Sequence, residues 1–166
     1  MSVICKTHPD NPTMTGRRIE NYNDLPAEKR EVVAAGLQEA FGEDFERQGV
    51  SEDRVAFFLS QNFQAHNALL TAWDGDALVG TAGYVLMGTD VFLCNVWTNP
   101  ERRRSGVARE MVAAAEIAAR EYHHVRSVKL WCEKSLIEFY TKMGYAWKEQ
   151  SRVSRDKFVE IMKKKF

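Results

Sequence analysis

The stretch Asn95–Arg109, NVWTNPERRRSGVAR, decides the fold class, because an apolar strand runs through an arginine-rich turn directly into a helix. The first turn of a helix has backbone N–H groups without internal partners and a partial positive charge. Such a turn can hold a phosphate mainly through main-chain donors. Four arginines against one glutamate give residues 99–109 a net charge of +3. We therefore predict an anion site where this strand meets the helix.

The pattern before this stretch predicts two helices and a three-stranded meander. An extended segment, Arg17–Tyr22, precedes a helix that enters near Leu25 and ends at Gly42, and a second helix begins at Ser51. The apolar runs ALLTAW, ALVGTAGYVLM and DVFLCNVW follow, the first two separated by an Asp-Gly turn that is typical of a β-hairpin. Residues 1–16 lack periodicity and are predicted to form a flexible N-terminal arm.

The pattern after this stretch predicts a helix from Ser105 to His123, a strand VRSVKLWC and a short helix SLIEFYTKM that Gly144 ends. Two closing strands follow, with their turn around Ser151 to Asp156. Strands that alternate with helices in this way favour a mixed α/β sheet covered by helices. Residues 17–166 are therefore predicted to form a single domain.

Composition excludes several classes of protein. The 166 residues include 23 basic and 23 acidic side chains, so the net charge of zero argues against a nucleic-acid-coating protein. No apolar run is long enough for a membrane helix, and no secretory signal is evident, so we expect a cytoplasmic protein without a membrane partner. Three cysteines without CxxC spacing, and histidines without ligand spacing, predict no metal site.

Two motifs resemble one family. The anion loop lacks GxxxxGK[ST] and GxGxxG, but Arg103-x-x-Gly106-x-Ala108 resembles the acetyl-CoA signature Q/R-x-x-G-x-G/A of the Gcn5-related N-acetyltransferase (GNAT) superfamily. The stretch FYTKMGY, residues 139–145, is similar to that family's second signature. The resemblance extends over residues 17–166. It implies a mostly antiparallel sheet of six or seven strands with about four helices, splayed between the fourth and fifth strands.

The resemblance also implies acetyl-CoA as the co-substrate and a set of residues that bind it. The pantetheine arm would pair with the backbone of the fourth strand, and the pyrophosphate would lie on the arginine-rich loop. Tyr140 would reach the thioester sulfur and protonate the departing thiolate. The implied cofactor-binding residues are Val96, Trp97, Thr98, Arg103, Arg104, Ser105, Gly106, Val107, Ala108, Arg109, Glu133 and Tyr140.

Two carboxylates are candidates for taking a proton from the acceptor. Glu133 stands where many family members have an asparagine, seven residues before the tyrosine. It can accept a hydrogen bond from a pantetheine amide or take a proton from the substrate ammonium through water. Some members place a catalytic glutamate on the fourth strand; Phe92 stands at that position here, and Asp90 lies two residues earlier as a base candidate.

The acceptor prediction depends on an acidic segment. Residues 41–53 contain five acids and one base, a local charge of −4, in the region between the first two helices that forms part of the family's acceptor pocket. Glu43, Asp44 and Glu46 are predicted to attract a small cationic amine such as a polyamine. The alternatives are protein lysine or N-terminal acetylation, and a CoA-binding sensor module without activity. The family resemblance also allows a homodimer.

Overall fold

A seven-stranded sheet with the order β1-β2-β3-β4-β5-β7-β6 runs through the computed structural model, which describes residues 16–122 and 124–166. The predicted arm, residues 1–16, lies outside the described residues except for Gly16. The strands are β1 Arg18–Asn21, β2 Ala68–Asp74, β3 Ala77–Met87, β4 Asp90–Thr98, β5 Ser127–Cys132, β6 Ala146–Arg152 and β7 Phe158–Lys165. The helices are α1 Ala27–Arg47, α2 Val55–Asn62, α3 Val107–Arg120 and α4 Ile137–Lys142.

The sheet is antiparallel except between β4 and β5, which α3 connects. The parallel register runs from Asp90 opposite Ser127 to Leu93 opposite Leu130. Beyond those pairs, β4 continues to Thr98 while β5 pairs only with β7 on its other side, so the two strands part among the described residues. This confirms the predicted fold: a single mixed α/β domain, mostly antiparallel, with a splay between the fourth and fifth strands.

Helices cover the sheet on both faces and create two apolar cores. On one face α3 is strongly amphipathic and buries Met111, Val112 and Ala115 completely against the sheet. On the other face α1 and α2 pack over β2, β3 and β4, where Leu37 and Leu59 are fully buried. The gap between β4 and β5 therefore has α3 on one face of the sheet and the α1–α2 cover on the other.

The first helix is longer than predicted. We expected α1 to end at Gly42, but it continues to Arg47 with a kink at Phe41, whose φ of −127° is not helical. Phe45 explains the extra turn, because its ring is only 2% exposed and packs edge-to-face on Phe58 of α2. Burial of that ring outweighs the small helix penalty of the glycine. Residues 43–47, which lie between the predicted end of this helix at Gly42 and the predicted start of the next at Ser51, are therefore helix.

None of the described helices combines the length and apolarity needed to cross a membrane.

Candidate active site

The parting of β4 from β5 leaves one edge of β4 without a strand partner among the described residues. The other edge stays paired with β3, with Thr81 opposite Trp97 and Gly80 opposite Thr98. An extended ligand with amide groups can add to such an edge as an extra strand. Val96, Trp97 and Thr98, the residues that the family resemblance implies, lie on this segment, and the Trp97 ring packs under α1 beside Gly36. Its contribution to a ligand site is therefore its backbone.

A β-bulge changes the direction of the β4 backbone at the start of this edge. Thr81 lies opposite Trp97 but Gly83 lies opposite Cys94, so β4 carries an extra residue between these pairs. Asn95 takes up the irregularity with a φ of +48°, and its carbonyl accepts a hydrogen bond of 2.7 Å from the Thr81 hydroxyl. The bulge was not predicted. The one signal for it in the sequence is Asn95, since asparagine tolerates the left-handed region better than most residues.

The arginine-rich loop forms an exposed turn at the start of α3. Arg104 and Gly106 both have positive φ, +63° and +84°, and Gly106 is the residue that precedes the helix. An ideal Cβ on Gly106 would have no protein atom within 4 Å, so the space beside the helix terminus is open. Val107, 1% exposed, anchors the first turn on the sheet. The backbone N–H groups of this turn can therefore meet an anion.

The arginines of this loop divide into two groups. Arg102 lies 3.2 Å from Asp74 and so extends back toward the β2–β3 hairpin. The side chains of Arg103, Arg104 and Arg109 are exposed, together with Ser105, whose hydroxyl donates a 2.5 Å hydrogen bond to the Arg102 carbonyl. The exposed guanidinium groups can give charge-assisted hydrogen bonds to a phosphate.

Tyr140 lies on α4 against the gap and is 5% exposed. Its ring packs edge-to-face on Phe139 and Tyr145, at centroid distances of 5.0 and 5.7 Å. Burial raises the pKa of its hydroxyl well above the ordinary value of 10, and the nearby Cys132 adds to that rise. Tyr140 also lines the cavity beside the gap, so its neutral hydroxyl can donate a proton there.

Tyr145 has a different environment, although it neighbours Tyr140. Its hydroxyl donates a 2.7 Å hydrogen bond to the buried carboxylate of Glu116, which also lies 2.8 Å from the Lys164 ammonium. This network joins α3 to β7 and the end of α4. Tyr145 is therefore structural.

The two candidate bases lie in different places. Glu133 follows β5 directly, is exposed, and lines the same cavity as Tyr140. Asp90 begins β4, about 16 Å along the strand from Asn95 at the usual strand rise. The structure therefore brings Glu133 to the gap and leaves Asp90 at the far end of the paired region.

Asp90 is held by three donors from neighbouring strands. Its carboxylate accepts from the Ser127 hydroxyl and lies 2.6 Å from Lys129 and 3.3 Å from Lys163. The Lys129 contact, followed by that from Ser127, lowers the pKa of Asp90 to about 2. A carboxylate so tightly held is a poor proton acceptor near neutral pH, and its role here is to join β4, β5 and β7.

We predict that Asp90→Asn lowers the free energy of unfolding at pH 7 by about 1 kcal/mol, a value reduced for partial solvent screening. Because the folded-state pKa lies below the unfolded value near 4, the carboxylate stabilises the fold above pH 4 and ceases to do so as the pH falls toward 2. Urea unfolding at pH 7 and pH 2.5 measures this difference. It should fall to roughly a third of its pH 7 value at pH 2.5, because the folded-state carboxylate is then only partly protonated. Asp156→Asn in the exposed β6–β7 turn should change stability little at either pH. An equal loss at both pH values would contradict the prediction.

A cavity of about 630 Å³ lies between the α1–α2 cover and strands β4, β5 and β7, next to the gap. Of the three acids predicted to bind the acceptor, Asp44 lines this cavity, whereas Glu43 and Glu46 are exposed and lie outside its lining. Asp44 is itself paired with Arg47 and, at 3.1 Å, with Lys157. The three acids are thus close together in the sequence, but only one of them lies in the cavity wall.

Among the described residues no group of three or more histidine, cysteine or acidic side chains is arranged to hold a metal ion. The two cysteines that line the cavity, Cys94 and Cys132, are buried enough that their thiol pKa values rise to about 12 and about 11. They are therefore neutral thiols at physiological pH.

A sheet parted between two parallel strands, beside the open N-terminus of the crossover helix and a buried tyrosine, is the architecture of the GNAT acetyltransferases. The sequence model of the Acetyltransferase (GNAT) family matches residues 33–145, and the chain therefore belongs to this family of acetyltransferase enzymes. A search of curated proteins gave no match.

Solved structures of acetyltransferases share the fold. An aminoglycoside 6'-N-acetyltransferase complexed with coenzyme A has a TM-score of 0.75 and 17% sequence identity, over 89% of this chain and 96% of that one. An aminoglycoside 6'-acetyltransferase type Ii has a TM-score of 0.71 and 20% identity, over 89% and 96%. The PaiA N-acetyltransferase from Thermoplasma acidophilum, in complex with coenzyme A, has a TM-score of 0.65 and 19% identity, over 90% and 99%. At these identities the likeness supports the fold alone.

Proposed function

We propose that the protein transfers the acetyl group of acetyl-CoA directly to the primary amine of a small molecule. The observation that carries this proposal is the open edge of β4, which runs from the start of α3 to the cavity that Tyr140 lines. Coenzyme A is long enough to need such a path, with its phosphates at one end and its thioester at the other. Its presence in complexes of two structural neighbours supports the same choice of co-substrate.

The cofactor would bind in two parts. Its pyrophosphate would accept hydrogen bonds from the backbone of residues 105–109 and from the exposed Arg103, Arg104 and Arg109. Its pantetheine amides would pair with the β4 backbone at Val96–Thr98. Gly106 suits this arrangement because its φ of +84° favours glycine and its Cβ direction is open.

The chemical step would use three groups near the gap. The neutral amine attacks the thioester carbonyl, so that a C–N bond forms and the C–S bond breaks. Backbone N–H groups near the bulge would stabilise the developing oxyanion, and the Tyr140 hydroxyl would give its proton to the departing thiolate. The proton lost by the amine would go to Glu133 or to water at the exposed mouth of the cavity.

A CoA-release assay with amines of several classes tests the proposal. We expect turnover with at least one small primary amine that depends on acetyl-CoA. Tight binding of acetyl-CoA without turnover of any amine would instead favour a CoA-binding sensor. Faster turnover of lysine peptides than of every small amine would favour a protein acetyltransferase.

Removal of a loop arginine should weaken binding of acetyl-CoA but not of a thioester that lacks the CoA phosphates. We predict that Arg104→Ala raises KM for acetyl-CoA about fivefold with kcat nearly unchanged, because one charge-assisted contact at an exposed site contributes about 1 kcal/mol. KM for acetyl-pantetheine, which lacks the phosphates, should not change. Arg155→Ala, in the exposed β6–β7 turn, serves as the control. Equal effects on both thioesters would contradict a phosphate contact.

A further inference from the structure

We infer that the acceptor in the transfer proposed above is a primary amine on an aromatic or similarly apolar body, without a second positive charge. The inference rests on the proposed function and concerns the cavity beside the gap. It replaces the polyamine prediction, which depended on acids that the fold does not place in this cavity.

Aromatic side chains make up much of the cavity wall. On the helical side Phe45 and Phe58 meet edge-to-face at 5.8 Å, and on the sheet side Phe92 and Trp131 do so at 5.1 Å. These two pairs come from different layers of the fold, and the cavity lies between them. The aromatic residues of the lining are Phe41, Phe45, Phe58, Phe63, Phe92, Trp131 and Tyr140. A ring in this space would gain both burial and edge-to-face contacts.

Trp131 is the one of these side chains most open to solvent. It lies in β5 at the gap, lines the cavity, and is 52% exposed although its ring touches Phe92. An apolar acceptor would cover the Trp131 ring and remove it from water. A charged acceptor would either leave the ring solvated or lose part of its own hydration on contact with the ring. The volume of about 630 Å³ is within the range of small-molecule sites.

The charged groups of the lining oppose a polycation. Two acids, Asp44 and Glu133, face two bases, Arg47 and Lys157, so the lining has no net charge. Asp44 is paired with both bases, which gives that cluster a charge of +1. Glu133 remains for the reacting amine at the gap. A second ammonium group on the acceptor would therefore meet either the apolar wall or a positive cluster.

The test compares kcat/KM for phenethylamine, n-propylamine, putrescine and spermidine at saturating acetyl-CoA. Phenethylamine should exceed propylamine and putrescine by roughly ten- to hundredfold, since burial of a ring contributes that much to binding in the transition state. Putrescine or spermidine at equal or higher kcat/KM would overturn the inference and leave acetyl transfer standing. No turnover of any amine by protein that binds acetyl-CoA would overturn the proposed function and the inference with it.

Two tryptophan variants separate the cavity from the general surface. Trp131→Ala should lower kcat/KM for phenethylamine about tenfold and change that for propylamine less than twofold. Trp147→Ala removes an equally exposed tryptophan of β6 that lies outside the cavity lining, and should alter neither. Equal effects of the two variants would overturn the inference. Thermal melting of both variants shows that each is folded.

A charge variant provides an independent measurement. Lys157→Glu changes the Asp44 cluster from +1 to −1 and should raise the putrescine-to-phenethylamine ratio of kcat/KM severalfold, an effect that added salt reduces. An unchanged ratio would overturn the part of the inference that concerns charge.

Discussion

Replacement of Tyr140 by phenylalanine is expected to lower kcat about 10²- to 10³-fold while KM for acetyl-CoA changes less than threefold. The reason is that a positioned general acid contributes this much when the leaving group must take up a proton. The ring, 5% exposed and packed on Phe139 and Tyr145, keeps its contacts in the variant. Steady-state kinetics with CoA release as the readout measures both constants.

The pKa of Tyr140 adds a second expectation. Because burial raises this pKa well above 10, the hydroxyl stays protonated in the pH range where an alkylamine loses its proton. The kcat profile of the wild type should therefore rise with pH through deprotonation of the amine and show no loss below pH 10. A decline with an apparent pKa near 9 would contradict Tyr140 as a neutral acid.

Tyr145→Phe is the matched control, because it removes a hydroxyl from the neighbouring ring. That hydroxyl donates to the buried Glu116 carboxylate, so its loss should cost about 1–3 kcal/mol of stability. The activity of the folded variant should stay within about threefold of the wild type. If Tyr140→Phe also had nearly unchanged turnover and a lowered melting temperature, Tyr140 would be structural as well.

Local sequence signals predicted the elements whose patterns are strong. The amphipathic run of α3 and the Asp74-Gly75 turn, where Gly75 has a φ of +60°, lie where the sequence placed them. The predicted end of α1 at Gly42 coincides with a kink at Phe41 and not with the end of the helix, because Phe45 gains more from burial on Phe58 than the glycine costs. Tertiary packing, which the local pattern does not contain, decided that boundary.

The candidate site likewise contains residues that local motifs locate and contacts that only the fold creates. Tyr140 and the arginine-rich loop belong to short motifs, so the sequence could locate them, and their roles stay predictions. The partner of Asp44 could not be predicted, because Lys157 lies 113 residues away in the chain and meets it only through the fold. The charge of a segment is a property of the chain, whereas the charge of a cavity depends on which side chains point into it and on what they pair with.

Gly80→Ala is expected to reduce both stability and cofactor binding, because residue 80 packs directly behind the β4 edge and the first turn of α3. An ideal Cβ at this position in β3 lies 2.5 Å from Val107 Cγ1 and 3.0 Å from the Trp97 carbonyl oxygen. Val107 is β-branched and begins α3, and the second contact is to backbone, so neither neighbour can move cheaply. We expect a loss of about 2 kcal/mol in the free energy of unfolding.

The same contacts connect this substitution to the site. To relieve them, the first turn of α3 must move away from the sheet or β4 must shift at Trp97, and both carry backbone groups proposed to hold the cofactor. We therefore expect KM for acetyl-CoA to rise about tenfold. The double variant Gly80→Ala/Val107→Ala should recover more than half of the lost affinity, because it removes the 2.5 Å contact, whereas Val107→Ala alone should weaken packing without displacing the turn. Chemical denaturation and acetyl-CoA titration of the wild type, the two single variants and the double variant complete the double-mutant cycle. Additive effects of the two substitutions would show that the packing of α3 on Gly80 does not control the phosphate loop.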